Sequence, residues 1–150
     1  MRYDSEVLGR TVLDTDVLVA AVRSSRGASR VLLTAALERR YSVIASVPLM
    51  LEYEAVLTRP EHLAAAQIST SDLEVLLDAV ALVVEPIRIS YLWRPILADP
   101  GDDLVLETAV NGRADVVVTF NRRDFEPAVR RFGFEVITPA DAVRRLEDHL

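Results

Sequence analysis

The chain has 150 residues, 51% of them hydrophobic, which suits one domain over residues 1–150 with a substantial core. It has no cysteine, so a disulfide framework and a thiolate metal site are both excluded. A formal net charge of -6 excludes attachment to nucleic acid through a broad basic surface and leaves only local arginine clusters for that purpose.

In chain order, the patterning predicts a strand over Thr11–Leu18, a helix over Ala28–Arg39, a strand over Tyr41–Ala45 and a helix over Pro48–Thr58. A helix over Ser71–Val80 and a strand over Leu82–Ile89 follow, then a loop dense in prolines and acids, Trp93–Asp103. The remainder reads as a helix over Asp103–Asn111 stopped by Gly112, strands over Val116–Thr119 and Phe134–Ile137, and a closing helix over Pro139–Glu147. Short apolar strands alternating with helices indicate an α/β fold, a parallel sheet of about five strands covered on both faces. The opening MRYDSEVLGR is too polar for a signal peptide, and no apolar run is long enough to span a membrane, so a cytosolic protein is expected.

Ligands of open α/β sheets bind beyond the carboxyl ends of the strands. Acids gather at those points in the sequence: Asp14 and Asp16 late in the first strand, Glu52 and Glu54 on the helix after the second, Asp102 and Asp103 at a helix start, and Asp124 after Thr119 and Asn121. A carboxylate among Val12, Leu13, Val17 and Leu18 suffers desolvation unless it is hydrogen-bonded or metal-bound. Glu52 and Glu54 each have apolar residues at helical offsets, and spacing does not choose between them. One of Asp102 and Asp103 suits a helix cap, as does Asp124. Carboxylates brought together repel unless a hard cation lies between them, and Mg²⁺ or Mn²⁺ takes oxygen ligands, keeps waters and accepts substrate phosphate. Such a site activates water for attack on phosphorus. His62 and His149 read as surface residues. All 17 basic residues are arginine, which excludes a catalytic lysine and leaves Arg122, Arg123, Arg23 and Arg26 as the candidate phosphate contacts.

Two families resemble parts of this pattern. DTDVL at Asp14 is similar to the opening of haloacid dehalogenase-like phosphotransferases, with Asp14 as nucleophile and Asp16 as general acid, but those enzymes need a basic residue, nearly always lysine. The second resemblance covers nearly the whole chain. VLDTDVLVAAV, SVPLMLEYEAVLTRP, ADPGDDLVLETAVNGRADVVVTFNRRDF and ITPADAVRRL resemble, in order and spacing, the motifs of PIN-domain nucleases, especially the VapC-like toxins of type II toxin–antitoxin systems. The resemblance implies a PIN-like three-layer α/β/α sandwich and a Mg²⁺-dependent ribonuclease. It implies Asp14, Glu52 and Asp103 as catalytic acids and metal ligands, Asp102 beside them, and Thr15 and Thr119 as supports. Asp16 stands where the pattern has Asn, and Asn121 where many relatives have a fourth acid, a part that Asp124 would then take. It also implies an RNA substrate, an antitoxin partner and a homodimer, for which the leucine- and alanine-rich stretch from Leu63 to Leu82 offers an apolar face. An inactive scaffold that binds RNA or a protein is the other reading.

Overall fold

The structure is a computed structural model that describes residues 8–90 and 100–148. Five strands, β1 (Arg10–Leu13), β2 (Ser42–Ser46), β3 (Glu85–Ile87), β4 (Val116–Val118) and β5 (Glu135–Ile137), form one parallel sheet in the order β3-β2-β1-β4-β5. Thr11, Val12 and Leu13 are all buried, as are Val116, Val117 and Val118. Successive strand residues point to opposite faces, so both faces of the sheet are covered, as the expected α/β class requires.

The helices are α1 (Thr15–Arg23), α2 (Ala28–Leu37), α3 (Val47–Leu57), α4 (Pro60–Ala66), α5 (Thr70–Val83), α6 (Pro100–Asn111), α7 (Glu126–Phe132) and α8 (Pro139–Glu147), with a 3-10 turn at Arg122–Phe125. No helix among the described residues is long and apolar enough to cross a membrane. Helix α1 packs on α2, α3 and α4, while α6 lies against β1, β2 and β4.

The expected first strand, Thr11–Leu18, is corrected. The strand ends at Leu13 and a helix begins at Thr15. Val17, Leu18, Ala21 and Val22 are buried at helical spacing, and the unbroken apolar run disguised that period as a buried strand. Asp14 is therefore the N-cap residue of α1, and Asp16 lies in its first turn. The expected strand Leu82–Ile89 also shrinks to Glu85–Ile87, because the spacing of Leu73, Leu76, Leu77 and Val80 carries α5 on to Val83. Pro86 is tolerated because β3 is an edge strand. Helix α6 starts at Pro100, earlier than expected, and the expected loop Trp93–Asp103 lies outside the described residues up to position 99.

At the amino edge of the sheet Arg10 fastens three segments. Its backbone N–H donates to Asp115 Oδ2 at 2.8 Å, Nε donates to the Gly112 carbonyl at 2.9 Å, and the guanidinium pairs with Glu85 at 2.6 Å. Gly112 ends α6 as expected, but the left-handed residue there is Arg113, at φ 52°. What Gly112 supplies is clearance, since a Cβ would stand 2.6 Å from Ile44 Cδ1 and 2.9 Å from the Thr108 carbonyl. Gly112→Ala is expected to lower stability by about 1–3 kcal/mol through overpacking, measurable as a reduced urea midpoint with an unchanged slope.

Candidate functional site

The strand order reverses between β1 and β4, and a crevice opens at their carboxyl ends. Pairing continues one residue past the ladder there: the Asp14 N–H donates to the Val118 carbonyl at 2.9 Å and the Thr119 N–H to the Ile137 carbonyl at 3.0 Å. That register sets Thr119 beside Asp14, and the Thr119 hydroxyl donates to Asp14 Oδ2 at 2.7 Å, with both residues buried. The hydroxyl oxygen in turn accepts the Asn121 N–H at 3.0 Å.

Asp16 projects from the first turn of α1, where the helix dipole favours an anion. Its Oδ2 accepts from the Phe120 N–H at 3.3 Å and from Asn121 Nδ2 at 3.0 Å. Its Oδ1 is buried with no hydrogen-bond partner, the Val17 amide donating to the Asp14 carbonyl instead. Burial, followed by repulsion from Asp14 and, more weakly, from Asp102, pushes the Asp16 carboxyl up from 3.8 to about 7 against the opposing Phe120 amide.

Glu52 arrives on α3, which is capped by Ser46 at the carboxyl end of β2: Ser46 Oγ accepts the Leu49 N–H at 3.2 Å. Ser46 Oγ also lies 2.7 Å from Thr108 Oγ1 of α6. Because the Thr108 hydroxyl donates to the Leu104 carbonyl, Ser46 is the donor in that pair. The Tyr53 hydroxyl, buried next to Glu52, donates to the Leu13 carbonyl, next to Asp14. These bonds hold α3, α6 and β1 in fixed relation. A cleft of about 420 Å³ results, lined by Asp14, Thr15, Asp16, Glu52, Asp102 and Asn121 at the acidic end and by Val19, Val56, Arg59 and His62 beyond.

The acids expected from separate segments thus share one cleft, with three exceptions. Asp103 is buried and does not line it, Asp124 is exposed on the 3-10 turn, and Glu54 faces solvent while Glu52 faces the cleft. Arg122 and Arg123 are exposed just after Asn121. Arg23 and Arg26 lie at and beyond the far end of α1, and eight residues of helix put Arg23 about 12 Å along the axis from Thr15. The sequence singled out neither Ser46 nor Arg59, and His62, expected at the surface, is half-buried and lines the cleft. A serine two residues before a proline is an N-cap signal that would have found Ser46. Arg59 directly precedes Pro60, the first residue of α4, a boundary signal of the same kind. Another cleft, about 490 Å³ and lined by Arg10, Arg39, Tyr41 and Glu85 among others, lies at the amino edge, away from the switch point.

A PIN domain family model matches residues 10–123, and the chain belongs to the PIN domain family. The dehalogenase-like template is left without support. Comparison with curated proteins gives no match. Among solved structures, the chain is similar to one chain of the crystal structure of VapBC2 from Rickettsia felis bound to a DNA fragment from their promoter. The two are 14% identical with a TM-score of 0.58, over 86% of this chain and 98% of that one, a likeness of fold.

Among the described residues no three acidic or histidine side chains stand together so as to hold a metal ion among themselves. Mg²⁺ needs no such trio, since one or two carboxylates and several waters suffice. An all-oxygen donor set with the buried, unpartnered Asp16 Oδ1 fits such an ion. Without a cation, ionised Asp16 opposes folding: its folded-state carboxyl holds its proton to about pH 7, whereas the unfolded one releases it near 3.8. The penalty is absent below the lower value, grows between the two and is complete above about 7. Asp16→Asn is therefore expected to raise the melting temperature in EDTA markedly at pH 8, clearly less at pH 5 and least near pH 4. An equal gain at all three pH values would contradict this origin.

Proposed function

We propose that this protein is an endoribonuclease dependent on Mg²⁺ or Mn²⁺ and that it acts as a toxin restrained by a cognate antitoxin. The observation that carries the reading is the convergence of Asp14, Asp16, Glu52 and Asp102 on one cleft at the switch point of a PIN fold. A hard divalent cation bound there supplies a water-derived nucleophile at neutral pH and screens charge on the phosphoryl oxygens.

The chain does the rest. Thr119 bonds one Asp14 oxygen and so sets the direction of the carboxylate. Glu52 is the acid brought by α3. Of the adjacent pair, Asp102 faces the cleft and takes the ligand part, with the buried Asp103 as its supporting acid. Thr15 and Asn121 line the same end and orient water or phosphate, while Asp124 stands apart. Arg122 and Arg123, exposed beside Asn121, meet the RNA backbone; Arg23 and Arg26 serve only a strand that runs the length of α1.

The toxin part of the reading is supported by fold likeness to a chain from a VapBC2 complex. Apolar surface supports a protein partner or a second copy: Val47 and Leu51 on α3 are 67% and 61% exposed, and Val75 and Leu82 on α5 are 68% and 76% exposed.

The test is cleavage of end-labelled single-stranded RNA in Mg²⁺ and in EDTA. Asp14→Asn is expected to reduce the cation-dependent rate by roughly 100-fold or more with the melting transition retained; undiminished cleavage rejects the proposal. The Asp16–Asn121 pair gives a second test. Asp16→Asn and Asn121→Asp should each slow cleavage, whereas the double exchange, which restores one carboxylate and one amide in contact, should recover most of it.

A further inference from the structure

The acidic cleft has an end of opposite character. Past Glu52, the cleft side of α3 continues through Val56 to the helix end at Leu57; Arg59 then caps α4, whose His62 amide donates to the Arg59 carbonyl at 3.0 Å. Arg59 is exposed and forms no ion pair or side-chain hydrogen bond among the described residues, although four acidic residues share its cleft. His62 is half-buried, with Nδ1 enclosed and unpartnered while Nε2 is not. A buried nitrogen without a partner is cheaper as a bare lone pair than as an N–H. Nε2 is therefore the ring nitrogen placed to donate in the cleft.

A planar guanidinium and an imidazole N–H, both uncommitted, make a donor set for a phosphate oxygen cluster. Glu52 to Val56 is about one turn of α3, a rise of about 6 Å, and the helix ends at Leu57, so the pair, at the junction of α3 and α4, stands beyond it along the cleft. That separation suits a phosphate next to the reacting one. Val19 and Val56, which also line the cleft, offer no competing side-chain donor. We infer that Arg59 and His62 form a phosphate subsite that holds a single strand of nucleic acid beside the scissile linkage, so that the cleft takes an extended strand. The position of the scissile linkage rests on the hydrolytic reading above; the phosphate contact itself does not require cleavage.

The contact is read by fluorescence anisotropy of a labelled single-stranded RNA on the Asp14→Asn chain in Mg²⁺. Adding Arg59→Ala should weaken binding about tenfold and lower the slope of log K against log salt by about 1. His62→Ala should weaken binding a few-fold, and Arg59→Lys should restore the slope but only part of the affinity. One neutral methylphosphonate, scanned along the strand, should at one position reproduce the Arg59→Ala loss and leave nothing further for Arg59→Ala to remove. Unchanged affinity and slope in a normally melting Arg59→Ala chain overturns the subsite. Single-stranded DNA of the same sequence should show an equal loss; a loss confined to RNA assigns the contact to the 2′-hydroxyl and also overturns it. Binding that responds to Arg59→Ala in a chain whose unsubstituted form never cuts RNA upholds the subsite and rejects the hydrolytic reading. Cleavage with KM unmoved by Arg59→Ala does the reverse.

Discussion

Carboxylates held out of water beside one another raise the free energy of the folded chain, and the carboxyl edge of this sheet concentrates that repulsion on Asp14 and Asp16. Asp14 is buried and hydrogen-bonded by Thr119, while Asp16 has one oxygen satisfied and the other bare. Two distant acids, Glu52 and Asp102, line the same cleft. Such a cluster persists only because the surrounding bonds over-determine it. Ser46 joins α3 to α6 and Tyr53 joins α3 to β1, each one residue or a few from an acid. The core and the cleft are therefore one construction: what positions the charges is the packing beneath them.

Much of this was legible in the sequence, for identifiable reasons. The parallel sheet followed from short valine-rich runs buried on both faces, and Glu52 followed from the resemblance to PIN-domain motifs, since Leu49 and Val56 flank it no more tellingly than Met50 and Leu57 flank Glu54. The start of α1 was misread because VLVAAV is apolar at every position, which hides a period of 3.6 as well as a period of 2. The difference between Asp102 and Asp103 was not legible at all. Adjacent residues on a helix face directions about 100° apart, and only the placement of α6 against β1 and β4 decides which one meets the cleft.

The two departures from the family pattern, Asp16 for Asn and Asn121 for an acid, become one feature in three dimensions. Asn121 Nδ2 donates to Asp16 Oδ2 across the junction of β1 and β4. The amide and the carboxylate are therefore partners, and both departures bear on the same contact.

Arg10 lies at the other end of the same strand as Asp14, and its three attachments, to Asp115, Gly112 and Glu85, bind β1, the turn before β4 and the first residue of β3 together. The sheet is thus fastened at both margins, by Arg10 at the amino edge and by Thr119, Tyr53 and Asn121 at the carboxyl edge. The central strand is pinned at each end, so the direction in which Asp14 projects is inherited from the frame of the sheet.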